Sequence, residues 1–405
     1  MNTLEIIRTL SAESFQQFIR AHEHDDRRTF VLNNKEVSGI PPGILADQIA
    51  GRKKSKEKLP TYYAASGIIY PPSINLEQSS SEQTARFKAE ILQNILKGKQ
   101  IIGADLTGGF GVDAFFLSRA FKQLHFVEPE ESLLEISRHN HQQLNATNIE
   151  YHISSAEIFI EDASHSCDFF YADPSRRTLT GRKVNAMEDS IPDVVKLSVQ
   201  ILKKSSVFLV KASPLLDIQA GLTQLPYVKA VFVISVDNEC KEVLFVCEKA
   251  TVGEPIIETV NLSNYKPSEA FSFRFSEERA HEARLNDPLQ YLYEPNASIL
   301  KAGAFKSIAT RFNLQKIQKN THLYTSHDLA SEFPGRIFLV EKTIRGDRQE
   351  IKKYFPDGKA NVTTRNYPLS AEMLKKKTGL KDGGEKFLIG FSGQQKKFLV
   401  VAIRQ

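Results

Sequence analysis

The stretch "ADLTGGFGVDA", residues 104–114, decides the fold. It joins the apolar run "QIIGADL" (100–106), which reads as a strand, to "DAFFLSRAF", which reads as a helix. Working outward, the same alternation repeats. "QLHFVEP" (123–129), "IEYHIS" (149–154), "CDFFYADP" (167–174) and "SSVFLVKASP" (205–214) read as strands. Amphipathic stretches such as "EESLLEISRHNHQQL" and "DVVKLSVQILKK" lie between them. Strands alternating with helices predict a parallel sheet covered by helices. The end differs. "VKAVFVISV" and "KEVLFVCEK" are joined only by "DNEC", too short for a parallel crossover, so these two must pair antiparallel. The expected fold class is α/β, a mostly parallel sheet finished by an antiparallel β-hairpin.

Gly108, Gly109 and Gly111 permit positive φ and a close approach of backbone to a ligand, and the following helix offers free N–H groups. Gly109-x-Gly111-x-x-Ala114 matches a dinucleotide fingerprint. Asp105 argues against a dinucleotide. A carboxylate at a strand end roughly 4–6 Å from a pyrophosphate would be repelled by several kcal/mol. S-adenosylmethionine (SAM) reverses the sign, because it carries a sulfonium and an ammonium and no phosphate. On that reading Asp105, Thr107, Gly108, Gly109 and Gly111 form the cofactor loop. Glu128, at the end of the second strand, takes the ribose hydroxyls. Ser155 and Ala156, after the third, lie where adenine would sit. A tight turn without a ligand and a nicotinamide or flavin site are the alternatives.

"FFYADPSRRTLTGRK" (169–183) sets a second problem: Asp173 ends an apolar run and is followed by Arg176, Arg177, Arg182 and Lys183. One reading has an arginine neutralise Asp173 or Asp168. The other has Asp173 grip a positive or hydrogen-bonding group while the cations hold a polyanion's phosphates, a task suited to the guanidinium fork; Ser175 and Lys211 are further candidates to face substrate.

Asp105-Leu-Thr-Gly-Gly-Phe-Gly, Val-Glu128-Pro, Asp173-Pro174 and the terminal antiparallel strand together resemble a class I SAM-dependent methyltransferase over about residues 99–250. The resemblance implies a Rossmann-like sheet, SAM as cofactor, and Asp173 and Pro174 as the catalytic pair facing the methyl group. Amino methyltransferases follow that proline with a second proline and an aromatic; here Ser175 and Arg176 stand in those places, leaving Tyr70 or Phe110 as stacking candidates. Carbon-5 uracil enzymes need a nucleophilic cysteine, and residues 211–214, Lys-Ala-Ser-Pro, contain none. A closer likeness runs through "PPSINLEQSSSEQTA", "ADPSRR…GRK", "YEPNASILKAGAF" and "RNYPLSAEMLKKKTGLKDGGEKFL". These resemble a bacterial family of uncharacterised methyltransferases with a THUMP-like C-terminal domain, from about Tyr70 onward. THUMP domains proper bind RNA, so the resemblance implies RNA as partner. A protein or small-molecule methyltransferase and a non-catalytic RNA-binding module remain the rival readings.

The flanks and composition complete the expectation. Residues 1–98 read as a helical segment, 99–252 as the methyltransferase domain, and 253–405 as an α+β THUMP-like domain. Arg336 to the end holds sixteen Lys/Arg against seven Asp/Glu, an excess larger than the +5 of the whole chain, which suits a polyanion. Lys375 to Lys377 and Lys381 are the candidate phosphate patch. No apolar run is long enough to span a membrane. Three cysteines without metal spacing suit a reducing cytoplasm. No metal is expected; "AHEHDD" (21–26) is the nearest candidate and lies on a polar helix end.

Overall fold

The computed structural model describes residues 1–99, 101–162, 166–175 and 187–405. The chain forms two compact units, Met1–Lys229 with Val243–Gly253, and Ala230–Glu242 with Glu254–Gln405.

The strands of the first unit are β1 (Ile102–Asp105), β2 (Gln123–Val127), β3 (Ile149–His152), β4 (Phe169–Ala172) and β5 (Val207–Ala212); the chain then enters the hairpin of β6 (Val228–Val236) and β7 (Glu239–Glu248). They lie in the order β3-β2-β1-β4-β5-β7. The first five are parallel, and β7 runs antiparallel to β5 from Val207↔Glu248 to Ala212↔Val243. β4 is buried at every position, as expected of a strand covered on both faces. Asp237 and Asn238, both at positive φ (47° and 66°), make the two-residue turn of the hairpin, a conformation these residue types tolerate.

The helices before β1 belong to the same unit. The stretch 3–22, apolar at helical spacing, forms two helices, Thr3–Ser11 and Glu13–Ala21, because Ala12 between them is extended. The basic stretch 52–58, expected as a loop, completes the Pro42–Lys58 helix, which stops just before Pro60. Ile7, Leu10, Ile19, Phe30, Leu45 and Ile49 form one core cluster. Tyr62, Ile68, Leu76, Ala85, Phe110 and Phe115 form a second, which the glycine loop's own helix (Val112–Leu117) joins. Buried amides hold the connecting strand-like segment by its backbone. Asn140 takes Ile69 at both N–H (2.9 Å) and C=O (2.8 Å), and Gln48 does the same to Tyr70 (2.8 and 2.7 Å).

In the second unit β6 pairs with β8 (Ile256–Leu262) in parallel, and β8 with β9 (Glu269–Phe273) antiparallel. A separate sheet follows, made of β10 (Tyr291–Pro295), β11 (Gln315–Gln318), β12 (Thr321–Ser326), β13 (Gly335–Ile344), β14 (Asn361–Arg365), β15 (Lys386–Ser392) and β16 (Lys397–Arg404). Its order is β11-β12-β10-β13-β16-β15-β14. The pair β14–β15 is parallel, joined through the Ala371–Thr378 helix, which Ser370 caps and Gly379 (φ 72°) closes as its sequence implies. Residues 294–312, read as one capped helix, form two short ones, Ala297–Ala302 and Ser307–Arg311, because Gly303 turns left-handed between them. Glu278 accepts from the N–H groups of Phe305 (3.1 Å), Lys306 (2.8 Å) and Ser307 (2.7 Å), satisfying the start of the second helix.

Glu294 on β10 is 4% exposed and holds both Arg336 on β13 and Arg365 on β14. One buried carboxylate thus ties three strands. Glu294→Ala is expected to lower the unfolding free energy of the second unit by about 2 kcal/mol, read by urea denaturation, while Lys386→Ala, which removes a partly exposed ion pair with Glu341, changes it by under about 1 kcal/mol.

Candidate functional site

Three parallel strand ends carry the site. β1 ends in Asp105, β2 leads into Glu128 and β4 leads into Asp173. The glycine loop is shaped by its neighbours as much as by backbone freedom. A Cβ on Gly108 would lie 2.4 Å from the Phe126 ring, and one on Gly111 2.6 Å from His141 Nε2. Gly111 is also left-handed (φ 76°). Only glycine fits both places. A Cβ on Gly109, at φ 57°, would meet nothing nearer than a carbonyl oxygen 3.7 Å away, so this stretch of backbone has open space beside it.

Glu128 sits beneath the loop. Its Oε2 accepts from Gly109 N–H (2.8 Å) and its Oε1 from Glu130 N–H (2.9 Å), and burial pushes its carboxyl up. Behind the loop His141 is fully buried and desolvation pushes its imidazole down to about 4. It is therefore neutral: Nε2–H donates to Gly111 C=O (2.9 Å), and Nδ1 accepts from Tyr151 O–H (3.0 Å). Ser155 caps the Ala156–Glu161 helix through Ile158 N–H (3.4 Å), and Ala156 is buried.

Asp105 departs from expectation. Its carboxylate was placed facing an open site; it is 1% exposed, below the loop. Its Oδ1 accepts from Thr107 N–H (3.0 Å) and Oγ1–H (3.3 Å). Burial pushes its carboxyl up to about 8, helped by Asp113 and Asp173 and opposed by Thr107. At neutral pH it holds a proton. The Thr107 hydroxyl also accepts from Asp173 N–H (2.7 Å), so one side chain joins the glycine loop to the β4 loop.

The partner of Asp173 is a residue read as a substrate contact. Lys211, the residue before the last of β5, is 5% exposed, and its Nζ lies 2.5 Å from Asp173 Oδ2. The pair opens into a buried network that sequence reasoning missed. Lys211 Nζ also donates to Ser80 Oγ (3.2 Å), Ser80 donates to Asp113 Oδ2 (2.7 Å), and Tyr171 O–H donates to the same oxygen (2.7 Å). Lys88, fully buried on the Glu82–Leu96 helix, donates to Ser80 Oγ (3.1 Å) and pairs with Asp113 Oδ1 (3.1 Å). Burial alone would raise the Asp113 carboxyl; Lys88 and Lys211, with Tyr171 and Ser80, hold it below its ordinary value. One sign was available: Lys88 lies four residues from both Thr84 and Leu92, on the face of the helix that turns inward.

The remaining candidates divide. Ser175 exchanges backbone hydrogen bonds with Ile191 (2.7 and 3.3 Å). Arg176, Arg177, Arg182 and Lys183 lie outside the described residues. Tyr70 and Phe110 are each 3% exposed in the core and offer no stacking face. Burial pushes the thiols of Cys167 and Cys247 up to about 12 and that of Cys240 up to about 11, so none is a nucleophile at neutral pH. In "AHEHDD", His22 bonds to Phe18 C=O (2.8 Å) and Glu23 pairs with Arg52 (3.1 Å). In the second unit a depression of 390 Å³ is lined by Glu372, Lys375, Lys376 and Lys381 among others. There Lys375 is held by Glu372 and Asp382, while Lys376, Lys377 and Lys381 are exposed. Among the described residues no helix is long and apolar enough to cross a membrane.

A parallel sheet ordered β3-β2-β1-β4-β5, closed by antiparallel β7 and carrying a glycine loop after β1, is the Rossmann-like fold of class I methyltransferases. Over nearly its full length the chain is similar to a "putative methyltransferase" from Porphyromonas gingivalis W83: TM-score 0.85, 28% identity, 99% of this chain and 98% of that one covered. Residues 291–334 match a family model described as a ferredoxin-like domain, and 335–404 one described as THUMP domain-like. A "putative RNA methyltransferase" from Pyrococcus horikoshii aligns over 49% of this chain and 99% of its own (TM-score 0.35, 13% identity). A "putative methyltransferase" from Streptococcus mutans, in complex with SAH, aligns over 40% and 95% (0.31, 15%). Those two likenesses are too distant to carry more. No curated protein matches the chain.

Removing one partner of a buried ion pair strands the other charge. Lys88→Met is expected to lower the unfolding free energy by about 3 kcal/mol, measured by urea denaturation, while Lys54→Met, whose pair with Glu77 is exposed, changes it by under about 1 kcal/mol.

Proposed function

We propose that this protein is a SAM-dependent methyltransferase of the cytoplasm whose acceptor is a structured RNA, a transfer or ribosomal RNA. Residues 99–252 transfer the methyl group, residues 253–405 present the RNA, and residues 1–98 complete the transferase unit. The observation that supports this most is the convergence of Asp105, Glu128 and Asp173 on one glycine loop, with Thr107 bridging the first and the last.

The residues present fit SAM. Open space beside Gly109 admits a ligand against backbone. Glu128, fixed by two backbone N–H groups, keeps its outer lone pairs for a ribose diol. Asp105 bears a proton that a nearby cation would displace. When bound, SAM supplies a methyl group that is already activated, so the protein's task is orientation. Lys211 takes Oδ2 of Asp173, leaving Oδ1 to accept a hydrogen from the acceptor group and aim its lone pair. Asp173, held in place by Lys211, is assigned to orienting the acceptor. On their sequence alone, Arg176, Arg177, Arg182 and Lys183 are assigned to RNA phosphates, and the excess of Lys and Arg after residue 336 to the rest of the backbone.

Incubation with tritiated-methyl SAM and total RNA from a strain lacking the gene is expected to label RNA, and Asp173→Ala to reduce labelling at least about a hundredfold. No labelling by the wild type, or equal labelling by the variant, rejects the assignment.

Asp105 gives a second test. Its folded-state pKa near 8 exceeds the ordinary 3.8, so the stability tied to its proton is complete below about pH 4 and is lost progressively as pH rises to 8. Asp105→Asn is therefore expected to raise the melting temperature of the ligand-free protein at pH 8 and leave it little changed at pH 4. The same variant is expected to weaken SAM binding about ten- to a hundredfold by calorimetry. A variant that is both more stable and a poorer binder separates the functional role from a structural one.

A further inference from the structure

A group of side chains away from the acceptor loop has a chemistry of its own. His125 on β2 and Glu150 and His152 on β3 offer ligand atoms that all lie within 4.8 Å of one another. The register pairs His125 with Glu150 and Val127 with His152. Side chains alternate along a strand, so all three residues share one face of the sheet. His125 Nδ1 and His152 Nε2 are 2.9 Å apart. Glu150 Oε2 is 3.5 Å from His125 Nδ1, and its Oε1 is 3.7 Å from His152 Nε2.

These separations have a meaning beyond hydrogen bonding. Ligand atoms bound at about 2.0–2.1 Å to one tetrahedral zinc ion lie roughly 3.3 Å from each other. The separation of the imidazoles and the distance of each from its nearer Glu150 oxygen bracket that edge length, and one atom from each residue lies within 4.8 Å of the others. Two imidazoles and one carboxylate are also a donor set that zinc takes, with a fourth position left over. Phe159 packs on both rings, at 5.6 Å from His125 and 5.0 Å from His152, and fixes their planes. His125 is 7% exposed and holds its geometry from within the core, whereas Glu150 is about half exposed and stands where an ion would enter.

We infer that His125, Glu150 and His152 form a binding site for a divalent transition metal of the zinc class, at the β2–β3 edge of the first unit. The ion takes one lone pair from each imidazole and one from the carboxylate. The imidazole that donates in the His125–His152 hydrogen bond moves that proton to its other ring nitrogen, so no charge is stranded. Gln123, whose side-chain amide also donates to Glu150, releases or shares the carboxylate. Bound there, the ion clamps the edge strand β3 to β2 just before Glu128, whose N–H donates to His152 C=O (3.1 Å). The inference does not depend on methyl transfer.

The test uses the full chain, stripped of metal by chelator and dialysed. Zinc titrated against a chromophoric chelator is expected to bind at one equivalent and to raise the melting temperature. Cobalt in its place is expected to give the visible bands of four-coordinate cobalt. His152→Ala and Glu150→Gln are each expected to weaken zinc at least about tenfold. Glu150 is about half exposed, so Glu150→Gln is expected to keep the metal-free melting temperature near that of the wild type; it serves if His152→Ala, which removes a ring packed on Phe159, does not fold. Failure of the wild type to bind zinc more tightly than Glu150→Gln, or one-equivalent binding that both variants retain, overturns the inference.

Discussion

Asp113 brings a negative charge into the interior directly after the glycine loop, and much of the first unit is arranged to meet it. A buried carboxylate without partners would take up a proton or unfold the chain. Here two lysines come to it, Lys88 from a helix before the sheet and Lys211, by way of Ser80, from β5. The second lysine does not stop at Asp113. Its ammonium also meets Asp173, so the charge that satisfies the core is the charge that fixes the candidate acceptor-facing acid. The helices before β1 are therefore more than a cover: Ser80 and Lys88 supply part of the electrostatic frame on which the β4 loop rests.

Much of the fold was legible because it follows from local pattern. Alternating apolar runs gave the parallel strands, and "DNEC" forced a hairpin, which turns at Asp237 and Asn238 and whose second strand runs antiparallel to β5. The misses share a cause. Ala12 and Gly303 break helices that periodicity would continue, and both breaks depend on backbone angles that a hydrophobic pattern does not encode. The site was legible where it is contiguous in sequence. The glycine loop, Glu128 and Asp173 each stand at a strand end, and the strand order gathers them. Lys211 was legible as a strand-end residue, but its partner was not. Residues 80, 88, 113, 171 and 211 meet only through tertiary structure, and a lysine reads as solvent until its neighbours are known. The His125, Glu150 and His152 group is of the same kind. Glu150-Tyr-His152 does place two ligand types on one strand face, but the third ligand lies on another strand.

The second unit solves a similar problem with different residues. Glu294 is the buried acid, and Arg336 and Arg365 are its cations. Glu294 falls in the segment matched as ferredoxin-like, and both arginines fall in the THUMP-like one. The sheet itself crosses that boundary, since β10 pairs with β13 over five residues. The two matched segments thus share hydrogen bonds and a buried charge, and neither closes its sheet alone. The cations left over bear on the RNA reading. Arg336, Arg365 and Lys375 are committed to carboxylates, so the positive excess available to a polyanion rests on exposed residues such as Lys376, Lys377 and Lys381.

Asp105 and Asp113 show how neighbouring acids acquire opposite properties. Both are fully buried, and burial raises both. Asp113 has two ammonium groups and two hydroxyls and remains charged. Among the described residues Asp105 has only the Thr107 N–H and hydroxyl to stabilise its anion, and it faces Asp113 and Asp173 as like charges, so it keeps its proton. An amide at that position would make similar hydrogen bonds without the proton linkage, so a carboxyl there costs stability at neutral pH and gains nothing from packing. The cost is recovered only if a cation comes close enough to draw the proton off. Thr107 stands beside that carboxyl, its hydroxyl donating to Asp105 while accepting from the Asp173 backbone. The glycine loop and the loop carrying Asp173, the two halves of the candidate site, are joined through that one hydroxyl.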